Sequence, residues 1–242
     1  MNFEKYNFLD FGCSTGGNIE FVQKHLLNTK GLGIDIDPKK VDVARGRGIE
    51  ASLYDILTIE SRKMVEFVTM SHFLEHLSSP REAEKFIRKA VDVSRSFVHI
   101  RQPFFDGDGY LMELGLKCYW SDWGGHPNNM KMLDFYKIGI KLLNAGAIKK
   151  FSIFGRSLIH DSIDDSIVPL MSPPNRGRWD ESLGEKAKKI FSIPLYKEMV
   201  MEILVSNIDD SGNLEKLRSI LISKGAMNVV FDSDSLHEYN KV

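Results

Sequence analysis

Short apolar runs alternate with segments of helical period from the first residues to about residue 154. That alternation predicts an α/β fold, built of βαβ units around a mostly parallel sheet. Two local observations agree with it. A Gly-rich turn, Gly12 to Gly17, directly follows the first apolar run, and the pairs Asp37-Pro38 and Ser79-Pro80 each open a segment of helical period. A chain of 242 residues can bury one substantial core, so one domain is expected.

In chain order, the apolar runs predict strands at 6–11, 32–36, 49–54, 66–71, 96–101, 147–154 and 198–206. Helices are expected between them. Ile19, Val22, Leu26 and Leu27 mark one over 17–28. Asp37 as N-cap with Pro38 in the first turn opens 38–46, and Ser79-Pro80 opens 80–94. In that last helix Phe86, Ile87, Ala90 and Val91 share one face, which makes it scaffold packed on the sheet. A further helix is expected over 131–145. Two stretches exceed a minimal sheet: 102–130, with its Gly, Pro and aromatic residues, and 155–197, which contains Pro173-Pro174. Loops of that length are commonly functional, and with little chain before the first strand, cover for a ligand is expected from these two insertions. The domain is drawn at 1–206, with 207–242 as a C-terminal extension. There Leu214, Leu217, Ile220 and Leu221 form a helical face, Met227 to Phe231 a last strand, and Asp232 onward a polar tail. The extension is read as a docking element or a subunit contact, as in a homodimer, without chemistry of its own.

The run Phe8-Leu9-Asp10-Phe11-Gly12-Cys13-Ser14-Thr15-Gly16-Gly17 reads as a buried strand whose glycines allow a sharp turn with backbone N–H groups facing a ligand. The next strand ends Gly33-Ile34-Asp35-Ile36-Asp37, one helical crossover later. A carboxylate at that point can accept both hydroxyls of a ribose. Asp35 takes that role, because Asp37 is explained as the helix cap.

These elements resemble those of class I S-adenosylmethionine (SAM)-dependent methyltransferases. Asp55 in Leu53-Tyr54-Asp55-Ile56 matches the family carboxylate that meets the adenine amino group. Phe67 to Leu77 matches the fourth strand and its following turn, with the Glu-His-Leu ending that the family often shows. Gly125 to Met130 resembles the His-containing loop of small-molecule members. The likeness spans residues 6 to about 154. It departs from the family pattern at Ser14, which replaces the central loop glycine, and at Glu66, where many members have Asp. The resemblance implies a Rossmann-like, mostly parallel seven-stranded sheet with helices on both faces and an antiparallel last strand. It implies SAM as cofactor and S-adenosylhomocysteine as product. The implied cofactor residues are Asp10, Gly12, Cys13, Ser14 and Gly16 in the loop, Asp35 and Ile36 at ribose and adenine, Asp55 and Ile56 at adenine, and Ser71 and His72 beside the methionine moiety.

Lys plus Arg number 32 against 33 Asp plus Glu, a net charge of -1, so no global field draws nucleic acid or an anionic membrane. RNA methylation is further disfavoured by Ser71-His72-Phe73-Leu74 standing where an Asn-Pro-Pro-Tyr-like motif would be. The expected partner is a small-molecule acceptor. Two distant cysteines, Cys13 and Cys118, make no disulfide framework and suit a reducing cytoplasm. No run approaches a membrane span, and Asp10 and Gly12 break the N-terminal run too early for a signal peptide.

Methyl transfer to an oxygen needs a base near neutral pH, and His126 is the expected one, with Asp122 as its partner or substitute. Trp120 and Trp123 would wall the acceptor pocket. Arg176 and Arg178 suit a phosphate or carboxylate, so a sugar or sugar-phosphate acceptor fits. Two other readings are carried. One is a non-catalytic SAM- or nucleotide-binding module, which predicts no acceptor cavity between the insertions. The other is a zinc protease through His72-Phe73-Leu74-Glu75-His76, whose H-x-x-E-H spacing on a helix would bring two imidazoles and a general base together. Ser78-Ser79-Pro80 leaves little helix for that, and no metal is expected.

Overall fold

The computed structural model describes residues 2–26, 28–60, 62–206, 211–223 and 225–235. In chain order its elements are β1 (Phe8–Phe11), α1 (Gly17–His25), β2 (Gly31–Asp35), α2 (Pro38–Gly46), β3 (Ala51–Leu53), β4 (Val65–Ser71), α3 (Pro80–Val93), β5 (Ser94–Pro103), α4 (Asp108–Glu113) and β6 (Leu116–Cys118). There follow α5 (Met132–Asn144), β7 (Lys150–Asp161), β8 (Ile167–Pro169), β9 (Ile190–Leu204), α6 (Ser211–Ser223) and β10 (Met227–Asp232). The main sheet runs β10-β7-β9-β5-β4-β1-β2-β3. From β3 to β5 it is parallel, β9 lies antiparallel between β5 and β7, and β10 pairs antiparallel with β7. The α/β class and the antiparallel late strand are as the sequence predicts, and the sheet gains an eighth strand, β10, on one edge.

The predicted helix starts rest on the expected caps. Asp37 accepts from the Lys39 and Lys40 backbone N–H groups at 2.9 and 3.4 Å, and Ser79 accepts from Glu82 N at 3.3 Å. Each side of the sheet buries its own core. On one, Phe8, Phe67 and Phe97 lie in register across β1, β4 and β5 and stack at 4.9 and 4.6 Å between centroids. Leu214 and Leu217 of α6 join that core. Leu27, the side chain of Leu221 and the tail from 236 lie outside the described residues.

The insertions carry more order than their composition suggests. β7 and β9 keep pairing from Lys150↔Leu204 out to Asp161↔Ile190, whereas β5 stops at Pro103↔Glu198. The two strands therefore leave the sheet as an arm. The two ends of 155–197, residues 155–161 and 190–197, are thus hairpin rather than loop, and the facing pair Ile159 and Leu195 is buried on the arm. Within 102–130 lies α4, and β6 pairs antiparallel with β8 as a small second sheet. No helix among the described residues is long and apolar enough to cross a membrane.

Candidate cofactor and acceptor site

The order of strands reverses between β1 and β4, and a crevice opens beyond their C-terminal ends, where open α/β sheets bind ligands. The loop after β1 turns there. Gly12 and Gly16 have φ of 69° and 84°, and Ser14, in the place of the family glycine, adopts the same left-handed conformation at φ 49°. Its backbone N–H donates to Asp35 Oδ2 at 2.8 Å, while Asp37 N donates to Oδ1 at 2.9 Å. Asp35 therefore fixes the loop from the next strand. Asp10 is buried opposite Thr69, and its Oδ1 accepts from Thr69 Oγ1 and Asn18 Nδ2, both at 2.7 Å. Burial pushes its carboxyl up to about 6, and those two hydrogen bonds oppose the rise.

A cavity of about 450 Å³ fills the crevice. Asp10, Gly12, Cys13, Ser14, Ser71 and His72 border it, together with Asn18, Phe21 and Arg101, which sequence reasoning did not single out. Gly16, Asp35, Ile36, Asp55 and Ile56 do not border it. Ile36 is 74 % exposed at the end of β2, open to a ring laid on it. Asp55 is exposed and accepts from Leu57 N at 2.9 Å, so it caps a short 3-10 turn. Ile56 is buried in the core and offers a ligand no side chain. Arg101, at the end of β5, donates to Ser71 Oγ at 2.7 Å.

His72 has a backbone φ of 51° and borders a second cavity of about 530 Å³ as well as the first. Its ring lies between two carboxylates, Nε2 at 2.9 Å from Glu198 and Nδ1 at 3.3 Å from Glu75. Burial of the imidazole works against its charge, but the two carboxylates outweigh it and hold the pKa up to about 9. Burial also works against the charge of Glu198, yet His72, Arg101 and Arg156 hold its carboxyl down to about 2. His72 is thus an imidazolium at neutral pH, with no lone pair to act as a base.

The second cavity lies between the insertions, bordered by Tyr119, Trp120, Trp123 and His126 from one and Arg156 and Arg178 from the other. Trp120 is buried and donates from Nε1 to Phe104 O at 2.9 Å. His126 Nδ1 lies 3.1 Å from Trp120 O. A carbonyl only accepts, so Nδ1 carries the proton and Nε2 keeps its lone pair. Burial lowers the His126 pKa, which favours the neutral ring at pH 7.

Asp122 does not meet His126. It pairs with Lys117, an ammonium almost wholly buried that also donates to Ser172 O at 2.5 Å, and it does not border the cavity. The buried cation claims the carboxylate, while the histidine is oriented by backbone. Arg176 likewise pairs with Asp180 and lies off the cavity. The H-x-x-E-H segment forms only a single 3-10 turn over Leu74–His76, with His72 in a left-handed conformation before it, so the helix a zinc protease requires is absent there.

Comparison with known proteins agrees with this geometry. Residues 8–96 match the family model described as a methyltransferase domain. No curated protein matches the chain. Among solved structures, a SAM-dependent methyltransferase from Archaeoglobus fulgidus superposes with a TM-score of 0.56 at 15% identity, covering 84% of this chain and 88% of that one. The YcgJ protein from Bacillus subtilis gives 0.52 at 11%, covering 82% and 91%. The plantazolicin methyltransferase BpumL, solved with a pentazolic desmethylPZN analog and SAH, gives 0.51 at 14%, covering 83% and 76%. At such identities these likenesses show the fold, and the domain match runs from β1 through β4 to the start of β5. Residues 8–96 are thus similar to a methyltransferase domain, and the chain shares its α/β fold with solved SAM-dependent methyltransferases.

Proposed function

We propose that the chain transfers the SAM methyl group to a hydroxyl of a small polyhydroxylated acceptor such as a sugar. One observation carries this reading: His72 borders both cavities, so a sulfonium held in the first would face an acceptor held in the second. Methyl transfer is an in-line displacement, and aligning two bound reactants supplies much of its rate. SAM would take the cavity behind Gly12 and Ser14, with Ile36 beneath the adenine, Asp35 at the ribose and Asp55 at the adenine amino group.

The acceptor cavity supports a polar, uncharged ligand. Aromatic faces from Tyr119, Trp120 and Trp123 suit the C–H faces of a sugar ring. The cations at its border are engaged already: Arg178 with Asp165 at 2.8 Å, Lys197 with Asp164 at 3.0 Å, and Arg156 with Glu198. That balance favours a sugar over a sugar phosphate. The free lone pair at His126 Nε2 is the activating group, since an alcohol must lose its proton as the methyl group arrives. A cavity of this size between the insertions also speaks against a module that binds SAM without turnover.

The test combines calorimetry with transfer of labelled methyl from SAM to a panel of sugars and polyols. Native protein should bind SAM and SAH and label an oxygen. His126→Ala should keep SAM affinity within about twofold and lower turnover by about 10²–10⁴. Absence of SAM binding, or full turnover in His126→Ala, would refute the reading.

A further inference from the structure

Glu75, His76 and His126 each offer one donor atom, and these atoms lie within 4.8 Å of one another. Glu75 is 0 % exposed, and neither of its carboxylate oxygens has a hydrogen-bond partner among the described residues. An ionised carboxylate in that position is costly unless something compensates it. His72 Nδ1 stands 3.3 Å from Oε1, and Oε2 is left unserved.

Each of the two histidines is anchored through one ring nitrogen. His76 Nδ1 lies 2.6 Å from Gly125 O, and His126 Nδ1 lies 3.1 Å from Trp120 O. Each Nδ1 must therefore donate, and each Nε2 is left with its lone pair. An imidazole whose far nitrogen is anchored to a carbonyl is the usual support of a metal-bound histidine, because it fixes both tautomer and ring orientation. The rings stand 5.1 Å apart between centroids. Asn128, itself buried, ties the two segments together: its side chain donates to Leu74 O at 2.9 Å and its backbone N–H to Glu75 O at 3.2 Å. Donors around one ion at about 2.1 Å are separated by about 3.4 Å, so small side-chain rotations close the site.

We propose that Glu75, His76 and His126 bind a divalent first-row transition-metal ion at the wall of the acceptor cavity. Two imidazoles and one carboxylate select such ions over Mg²⁺ and Ca²⁺, which prefer oxygen donors throughout. All three residues border the cavity, so the ion's open positions face the acceptor. This deepens the methyltransferase reading and rests on it for the acceptor: the His126 lone pair then acts through the ion. The acceptor hydroxyl coordinates, its O–H bond breaks and the proton leaves to solvent. The oxygen then forms its bond to the methyl carbon as the S–C bond breaks, and the electron pair stays on sulfur as the neutral thioether of S-adenosylhomocysteine. A metal-bound hydroxyl loses its proton far more readily than a free one.

The experiment strips the full-length protein with EDTA, then titrates it with Co²⁺ alone by calorimetry and visible absorption, with SAM binding measured on the same samples. One Co²⁺ per chain should bind with the d–d bands of a low-coordinate nitrogen and oxygen site. His76→Asn, at an exposed position, and His126→Asn should each weaken Co²⁺ by about 100-fold or more, beyond the 10–100-fold typical of losing a supporting contact. Both should still bind SAM, which also reports that they fold. If Co²⁺ fails to bind a protein that binds SAM, or binds both variants as it binds native protein, the metal site is overturned and the methyltransferase reading stands. If SAM fails to bind, that reading falls, while the Co²⁺ spectrum still decides the metal.

Discussion

The two cavities that meet at His72 are finished to different degrees. Around the cofactor crevice every buried polar side-chain atom is served: Asp10 by Thr69 and Asn18, Asp35 by the backbone of Ser14 and Asp37. Among the described residues bordering the second cavity, Glu75 keeps both carboxylate oxygens without a hydrogen bond, whereas other such buried atoms, among them His99 Nδ1, Gln102 Oε1, Asn128 Oδ1, Ser172 Oγ and Glu202 Oε1, lie off both cavities. A cradle for a common cofactor can be set by backbone and by its own hydrogen bonds. The second cavity keeps unused bonding capacity at Glu75 on its wall.

The largest effect that would break this contrast lies on the finished side. Gly12 has φ 69°, and a Cβ there would stand 2.1 Å from Phe73 Cδ2 and 2.4 Å from Cγ. Phe73 packs edge-on against Phe86 at 5.1 Å, so its ring has little room to retreat. Gly12→Ala should cost about 1–2 kcal/mol for the left-handed backbone and about 1–3 kcal/mol for overpacking. Urea unfolding should show that loss, and calorimetry should show SAM binding reduced by more than tenfold. Native-like binding in the variant would mean that the loop is not preset.

This difference also explains what could be read in the sequence. The cofactor side is assembled by short-range rules: the apolar run ending at Asp10, the glycines after it, the acid at Asp35 one crossover later, and the Asp37 and Ser79 caps. Each is a contiguous pattern with a local physical cause. The acceptor side is not contiguous. Glu75 and His126 converge because Asn128 bridges two segments, and Glu198 reaches His72 because β9 returns beside β5. Asp122 differs in kind: its carboxylate pairs with nearby Lys117 rather than with His126, and β6, the three-residue strand that buries Lys117, carries too little periodicity to signal it. Arg101 and Asn18 carried only their places at a strand end and in a helix's first turn.

A second effect on the finished side depends on pH. Burial raises the Asp10 carboxyl from its ordinary 3.8 to about 6, so the native state holds a proton that the unfolded chain releases. The stability this brings is fully present below about pH 3.8 and is lost as pH rises through about 6, a total on the order of 3 kcal/mol. Asp10→Asn keeps an oxygen for Thr69 and Asn18 and carries no charge. Between pH 4 and 7, native protein should therefore lose stability relative to the variant by up to about 3 kcal/mol, measured as paired urea curves. Parallel profiles would mean that Asp10 is solvated and the crevice less dry than its burial implies.

The smallest effect falls on the acceptor side and separates scaffold from chemistry within it. Lys117 is 8 % exposed, and its ammonium is held by Asp122 and by the Ser172 carbonyl, linking β6 to the segment after β8. Asp122→Asn leaves that cation with neutral acceptors in a nearly buried place. Because Asp122 is itself about one-third exposed, water can soften the loss, and about 1–3 kcal/mol of stability should go. SAM affinity and turnover per folded molecule should stay within about twofold of native, since Trp120 O rather than Asp122 orients His126. Thermal unfolding and steady-state kinetics on the same samples distinguish the two roles. A variant as stable as native but slower would make Asp122 a positioning residue for His126, and the acceptor wall would then be built by side-chain charge rather than by backbone.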